Sequence, residues 1–325
     1  MFATLSFGPY LNVLPQPVCE EGSAVVCRVL TSREHYGHLE LESGRDSKLV
    51  PGDVIVGVLG NRAALRGFSG RVPDSLEAGR ELHLLNKGGV LGVSDGLAVG
   101  LGKPLKLEVL GTPILNEKPA HLKDFAFPVH HPNSNPAPII AVIGTCMHSG
   151  KSTAAAVAIR HFRAQGLRVH AGKATGVGAI SDPLSFRDNG AAVSFSFVDM
   201  GVPSTAFRTD VVDIFEKLMD ALQTDGPDVV VVELGDGVLG AYGVDEILES
   251  NPNFKTCIVA ANDVIGGYAV VNSLREKGIA VSCVVGPATD NLTGVEKLES
   301  LGIPAANLMR EPQKFTELLA KGVEL

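Results

Sequence analysis

Tryptophan is absent from this 325-residue chain, aromatic residues make up 5 %, and no apolar run approaches the roughly 18 residues a membrane-spanning helix needs. The first ten residues, MFATLSFGPY, carry no basic charge ahead of an apolar core and no small-residue cleavage pattern, so a cytoplasmic protein without a membrane role is expected. Basic residues are also in deficit: 28 Lys and Arg stand against 36 Asp and Glu, giving a net charge of -8 that speaks against a broad nucleic-acid surface. The five cysteines (Cys19, Cys27, Cys146, Cys257 and Cys283) are odd in number, scattered and without a C-x-x-C pair, which leaves no disulfide framework or zinc knuckle. Cys257 and Cys283 lie inside apolar runs and read as core.

Glycine is abundant instead, 37 residues in all, and hydrophobic residues reach 45 %, the composition of a folded α/β protein with many turns. Its length suits two domains. Residues 1 to 127 alternate short apolar stretches (SAVVCRVL, HLELESG, VPGDVIVGVLG, GRELHLLNKGGVLGV, PLKLEVLG) with turn signals at Glu21-Gly22, Pro51-Gly52-Asp53 and Lys87-Gly88-Gly89. That spacing predicts a separate β-rich domain, a barrel or a sandwich, serving as an accessory or substrate domain. Residues 128–138, PVHHPNSNPAP, read as a linker, because proline removes ladder donors and restricts its neighbours. His130 and His131 within it point to different sides and have no third ligand nearby in sequence, so a solvated linker is the reading.

From 139 to 325 strand and helix alternate. Continuous apolar strands such as 229–232 require cover on both faces, which predicts a mostly parallel sheet flanked by helices with ligands at the strands' carboxyl ends. Strand 139–143 runs through Gly144, Thr145, Cys146, Met147, His148, Ser149, Gly150, Lys151, Ser152 and Thr153 into an alanine-rich helix. These ten residues are the nucleotide-binding candidates. Glycines let backbone N–H groups turn onto phosphate oxygens, the helix N-terminus adds partial positive charge, Lys151 adds a full one, and the Ser152 hydroxyl is a Mg²⁺ ligand. Five residues rather than the usual four separate Gly144 from the Gly150-Lys151 pair. His148 is placed to hydrogen-bond phosphate, to bind an acidic substrate, or to shape the loop.

Three further strand ends complete the candidate site. His170-Ala-Gly-Lys-Ala-Thr-Gly176 sets Lys173 where a transferring phosphoryl group would sit, with Thr175 and Gly176 as substrate candidates. Glu233-Leu-Gly-Asp-Gly ends an apolar strand in an acid suited to Mg²⁺, Glu233 first and Asp236 second. Asn262 and Asp263 end a fourth strand and either contact nucleotide or substrate or cap the next helix. Residues 181 to 207 read as a long polar loop over the site, with Asp182 and Asp188 as metal or substrate ligands and Asp199, Ser204 and Thr205 as substrate contacts. In the first domain Arg62, Arg66, Arg71 and Lys87 gather on glycine-rich turns, either as solvated loops or as a dock for an anion or a partner protein.

The Gly-Thr-x-x-x-x-Gly-Lys-Ser form of 144–152 resembles that of dethiobiotin synthetase and its relatives, including cobyrinic acid amide synthases, where the extra loop residue has precedent. The resemblance covers 139 to 325 only. It implies a lysine after the second strand, matched by Lys173, an aspartate for Mg²⁺, matched by Asp182 or Asp188, and a Glu-Gly-rich third strand end, matched at Glu233. Residues 286–291 would then meet the base, and they lack the Asn-Lys-x-Asp signature for guanine, which favours ATP. His148 stands where dethiobiotin synthetase has an acidic residue, and Lys173-Ala-Thr replaces Lys-Pro-Val, which leads away from a biotin precursor. Such a resemblance implies an ATP- and Mg²⁺-dependent enzyme in which Lys151 and Lys173 are catalytic. A carboxylate-bearing small metabolite is phosphorylated, as the first step of amide formation by a ligase. A small-molecule kinase and a nucleotide-dependent switch acting on a protein partner are the alternatives, and a homo-oligomer is compatible with either.

Overall fold

The computed structural model describes residues 11–33, 36–128 and 136–323. His130, His131 and most of the proline-rich stretch fall outside the described residues. The chain forms two compact units: one takes the sequence up to Pro128 together with Val177–Ser181 and Phe197–Phe207, and the other takes the remainder. Two short segments that the sequence sets within the second half therefore pack with the first.

The first unit is built from eleven strands: β1 (Val13–Leu14), β2 (Ala24–Val29), β3 (His38–Glu40), β4 (Asp46–Lys48), β5 (Val54–Leu59), β6 (Arg62–Ala63), β7 (Phe68–Arg71), β8 (Glu81–Leu84), β9 (Val90–Leu97), β10 (Leu105–Leu115) and β11 (Lys118–Pro119). Strand β2 pairs with β10 and β5, β5 with β9, β9 with β8, and β8 with β10, so these strands close into a barrel. Closure follows from alternation. Residues such as Leu82 and Leu84 on β8 and Leu105, Leu107 and Val109 on β10 all face one buried core with Val25, Cys27 and Leu91, while their neighbours face out.

The basic turns of this unit are occupied by its own groups. Arg62 is 4 % exposed on β6, donates to the Leu85 carbonyl and lies over the Tyr36 ring, so it is a packed residue and not a solvated loop cation. Arg71 stacks on Phe207 at 4.0 Å and pairs with Asp95, and Lys87 pairs with Glu40 and Asp46. Arg66 is exposed.

The second unit is a six-stranded parallel sheet in the order β14-β13-β15-β12-β16-β17, comprising β12 (Ile139–Gly144), β13 (Val169–Thr175), β14 (Val193–Ser196), β15 (Val229–Leu234), β16 (Phe254–Ala260) and β17 (Val281–Val285). Its helices are α1 (Lys151–Ala164), α2 (Ser181–Asp188), α3 (Val211–Gln223), α4 (Val244–Glu249), α5 (Val264–Glu276), α6 (Leu292–Ser300) and α7 (Pro312–Val323). All six residues of β15 are buried, as a β-branched central strand covered on both faces must be. Helix α1 approaches the sheet closely because Ala154, Ala155 and Ala158 are wholly buried, and Phe162 and Ile159 extend the same face. Helix α3 buries Ile214, Phe215, Leu218, Met219 and Leu222, one stripe at helical spacing.

The expected long loop at 181–207 is instead α2, then β14, then a 3₁₀ turn at Phe197–Met200. Phe186 of α2 is fully buried in the core and explains why this polar-looking stretch folds. No helix among the described residues is long and apolar enough to cross a membrane. Phe162 carries much of the contact between α1 and the sheet. Phe162→Ala should lower stability by about 3–5 kcal/mol, read from the urea midpoint, since truncating a buried aromatic leaves a cavity the rigid strands cannot collapse into.

Candidate functional site

Gly150, the residue just before helix α1, sits in the left-handed region at φ 97°, and no side chain caps the helix. Its first N–H groups therefore point out of the helix end without an internal partner, the arrangement that favours an anion. His148 is also left-handed, at φ 60°, and exposed. Two left-handed residues, His148 and Gly150, thus fall within three positions of the loop, a backbone form suited to turning successive amides toward an anion. A Cβ on Gly144 would come within 2.6 Å of Ser149 Oγ and 2.8 Å of the Lys151 side chain, so the strand end must be glycine for the lysine to fold back over the loop.

Lys151 is 5 % exposed and its Nζ donates to the carbonyls of Cys146 at 2.8 Å and Asp236 at 2.5 Å. Burial pushes its pKa below the ordinary lysine value; the Glu233 and Asp236 carboxylates oppose this and Lys173 adds to it. A group in that position gains from an added negative charge.

Parallel pairing brings the remaining charges beside it. The β15 register sets Glu233 next to Val142 of β12 on one side and next to Lys173 of β13 on the other. Lys173 Nζ lies 2.5 Å from Asp182 Oδ2 and 3.4 Å from Glu233 Oε1. Burial alone would lower the pKa of Lys173, but the two carboxylates outweigh it and hold the lysine above its usual value. The Ser152 hydroxyl donates to Glu233 Oε1 at 3.4 Å. Glu233 is 2 % exposed, and its second oxygen, Oε2, and the buried Ser149 Oγ have no hydrogen-bond partner among the described residues. Together these residues face a cleft of about 400 Å³ whose walls include Met147, His148, Lys151, Lys173, Glu233 and Asp236.

Backbone packing holds the loop in place. A Cβ on Gly237 would meet the Thr145 carbonyl at 2.3 Å and one on Gly286 would meet the Ser149 carbonyl at 2.1 Å, so the segments after β15 and β17 press directly on the loop. Asp236, itself left-handed at φ 61°, accepts from the Met147 N–H at 3.2 Å. These glycines follow apolar strands in the sequence, and that is the signal by which the packing of Gly237 and Gly286 on the loop could have been found.

No protein-family model matches the chain, and a search of curated proteins finds no match. Among solved structures it is similar to the signal recognition particle receptor FtsY from Elizabethkingia anophelis (16 % identity over 58 % of this chain and 67 % of that one, TM-score 0.37). It is also similar to the cell division protein FtsY from Thermotoga maritima (17 %, 61 % and 74 %, TM-score 0.40). A DUF1611 family protein from Anabaena variabilis is a third (11 %, 63 % of each chain, TM-score 0.43). The resemblance to dethiobiotin synthetase rests on the motif residues alone.

Of the residues singled out by sequence, the loop 144–153, Lys173, Asp182, Glu233 and Asp236 come together. The others do not. Asp188 is exposed at the far end of α2, six residues and about 9 Å along the axis from Asp182, so it is no ligand of this cleft. Thr175 is buried and donates to the Gly235 carbonyl at 3.1 Å, and Gly176, at φ 128°, turns the chain out of β13. Asp263 caps α5 by accepting from the Gly266 N–H at 2.8 Å, and the backbone N–H of Asn262 donates to Thr145 Oγ1 of the loop at 3.2 Å. Asp199, Ser204 and Thr205 belong to the first unit, the latter two fully buried. In 286–291, a 3₁₀ turn is followed by Asn291, which caps α6.

Lys173 separates two carboxylates that would otherwise face each other. Lys173→Met should destabilise the protein by about 3 kcal/mol, because removing one partner strands buried charge. A lysine whose pKa rises on folding contributes fully below its unfolded value of about 10.5 and loses the contribution only as pH climbs through the higher folded value. The difference between the urea midpoints of wild type and variant should therefore be constant from pH 6 to 9 and shrink only above pH ~10.5.

Proposed function

We propose that the second unit binds a nucleoside triphosphate, ATP, together with Mg²⁺, and that the protein phosphorylates the carboxylate of a small metabolite as the first step of an amide-forming reaction. The observation that carries this reading is Glu233 Oε2, a buried carboxylate oxygen without a partner, set beside Ser152 at the uncapped N-terminus of a Gly-Lys-Ser helix. Burying an unpaired carboxylate oxygen costs free energy, and a cation offsets that cost.

The donor set fits Mg²⁺. Among the described residues no cluster of three or more His, Cys, Asp or Glu is gathered to cage a metal. Magnesium needs no such cage, since it keeps several waters and takes one or two protein oxygens with phosphate. Ser152 and Glu233 would hold it. An ion held there would supply positive charge against the negative charge that develops on the phosphoryl oxygens.

The protein's own groups supply the rest. The loop amides and Lys151 bind and orient the phosphates, with Lys151 exchanging carbonyl partners for phosphate oxygens. Lys173 faces the reacting end of the cleft and offsets charge on the transferring group. A substrate carboxylate oxygen attacks the terminal phosphorus as its bond to the bridging oxygen breaks, giving an acyl phosphate and ADP. A nitrogen nucleophile then attacks the acyl carbon and phosphate leaves.

The dethiobiotin synthetase resemblance supports the carboxylate and the ligase outcome. A kinase would stop at the phosphorylated metabolite, so phosphate release stimulated by a screened carboxylate, with a new amide in the products, selects the ligase. Lys151→Ala should weaken ATP binding by about 100-fold while circular dichroism and urea unfolding report an intact fold. Unchanged calorimetric affinity in that variant would reject the site.

A further inference from the structure

We propose that a cleft at the amino ends of β13 and β14 is a second binding site, in which Arg163 and Arg168 hold a small oxyanion, the phosphate or carboxylate group of a soluble metabolite. The cleft lies wholly within the second unit. Its walls enclose a cavity of about 470 Å³ and come from the end of α1, the approach to β13 and the turn between α2 and β14, with Arg163, Leu167, Arg168, Gly190 and Ala192 among them. That volume is in the range of small-molecule sites. Lys173 stands five residues after Arg168, roughly 16 Å along an extended strand, so this cleft and the one at 144–153 occupy opposite ends of the same sheet.

A buried histidine orients Arg168. His170 is 0 % exposed, and its Nδ1 lies 2.8 Å from the Leu222 carbonyl, which can only accept, so Nδ1 carries the ring proton. The bare Nε2 then accepts from Arg168 Nε at 3.3 Å. Burial pushes the His170 pKa below the ordinary histidine value; the Leu222 carbonyl and Asp225 oppose this and the Arg168 charge adds to it, which favours that neutral ring. With Nε engaged, the terminal amino groups of Arg168 keep their donors for a planar oxyanion.

Arg163 reaches the same cavity from α1. A Cβ on Gly190 would lie 3.0 Å from Arg163 Cγ, so the arginine stem rests on the glycine backbone of the opposite wall. Among the described residues, arginine ion pairs are made by Arg28, Arg71 and Arg208, and neither Arg163 nor Arg168 is in one. Asp228 accepts from the backbone N–H of Arg168 at 2.6 Å. A cation in the last turn of α1 complements the helix dipole, which accounts for Arg163 but not for Arg168, placed beyond the helix. The carbonyls of Phe162 and Arg163 on α1, and of Phe186 and Arg187 on α2, already accept from N–H groups of the turns that follow. Two full positive charges thus line a cavity against two helix ends of about half a negative charge each.

Calorimetric titration of the full chain with inorganic phosphate and, separately, with citrate tests this, at fixed ionic strength so that screening is constant. At least one anion should bind and slow amide exchange in the peptides 163–170 and 188–193, and the one that binds identifies the oxyanion class. Arg163 and Arg168 are exposed, so Arg163→Gln and Arg168→Gln should keep the wild-type urea midpoint while each weakens binding about ten-fold. Lys151→Ala should leave the affinity within about two-fold. No heat from either anion at millimolar concentrations, or undiminished binding in both arginine variants, would overturn the proposal. Binding lost in Lys151→Ala would also overturn it, by assigning the anion to the phosphate loop. Anion binding retained in a protein that takes up no ATP would sink the nucleotide reading and leave this cleft standing.

Discussion

A buried glutamate between two lysines is the interaction on which the rest of the site depends. Glu233 stands at the carboxyl end of the most buried strand, in register with Lys173 on one neighbour and beside the β12 strand that feeds Lys151 on the other. Taking one carboxylate and two ammoniums out of water is costly, and the arrangement survives because Asp182, Ser152 and two backbone carbonyls share the charge. The set still has one carboxylate oxygen to spare. A site assembled at that cost, at the end of an uncapped helix, is suited to a ligand carrying several charges of its own.

Much of this was legible before any coordinate. The loop 144–153 announces itself because its chemistry requires particular residue types at the one place where strand gives way to helix, and Lys173 and Glu233 follow because parallel strands of similar length end together. What was not legible has physical causes. Asp188 and Asp182 are indistinguishable as residue types, and only their places at opposite ends of the eight-residue helix α2 separate a partner of Lys173 from a solvated acid. Asp263 and Asn262 show the same ambiguity, since helix capping and ligand binding draw on the same side chains. Helix α7 holds Phe315, Leu319 and Val323 at four-residue spacing in a stretch too short and polar to stand out, and α4 is shorter still.

The barrel of the first unit illustrates a different limit. Alternating residues on β8 and β10 predict strands and a buried face, but the closure of the ring depends on β8 pairing with both β9 and β10, and no local pattern carries a non-local pairing. Arg62 looks like a surface cation from its glycine-rich neighbourhood and is packed against Tyr36 and the Leu85 carbonyl instead. The inclusion of Val177–Ser181 and Phe197–Phe207 in this unit is likewise invisible in the sequence, because the contacts that hold them, Asn86 and Gly88 among them, are some ninety residues away.

The central claim is that the loop amides and Lys151 enclose a triphosphate. Amide hydrogen exchange of the peptide spanning 144–153, measured with and without saturating Mg²⁺ and ATP, tests it most directly. The account predicts strong protection of that peptide, centred on Ser149 to Ser152, on addition of nucleotide. Identical exchange in both samples, at nucleotide concentrations well into the millimolar range, would contradict it.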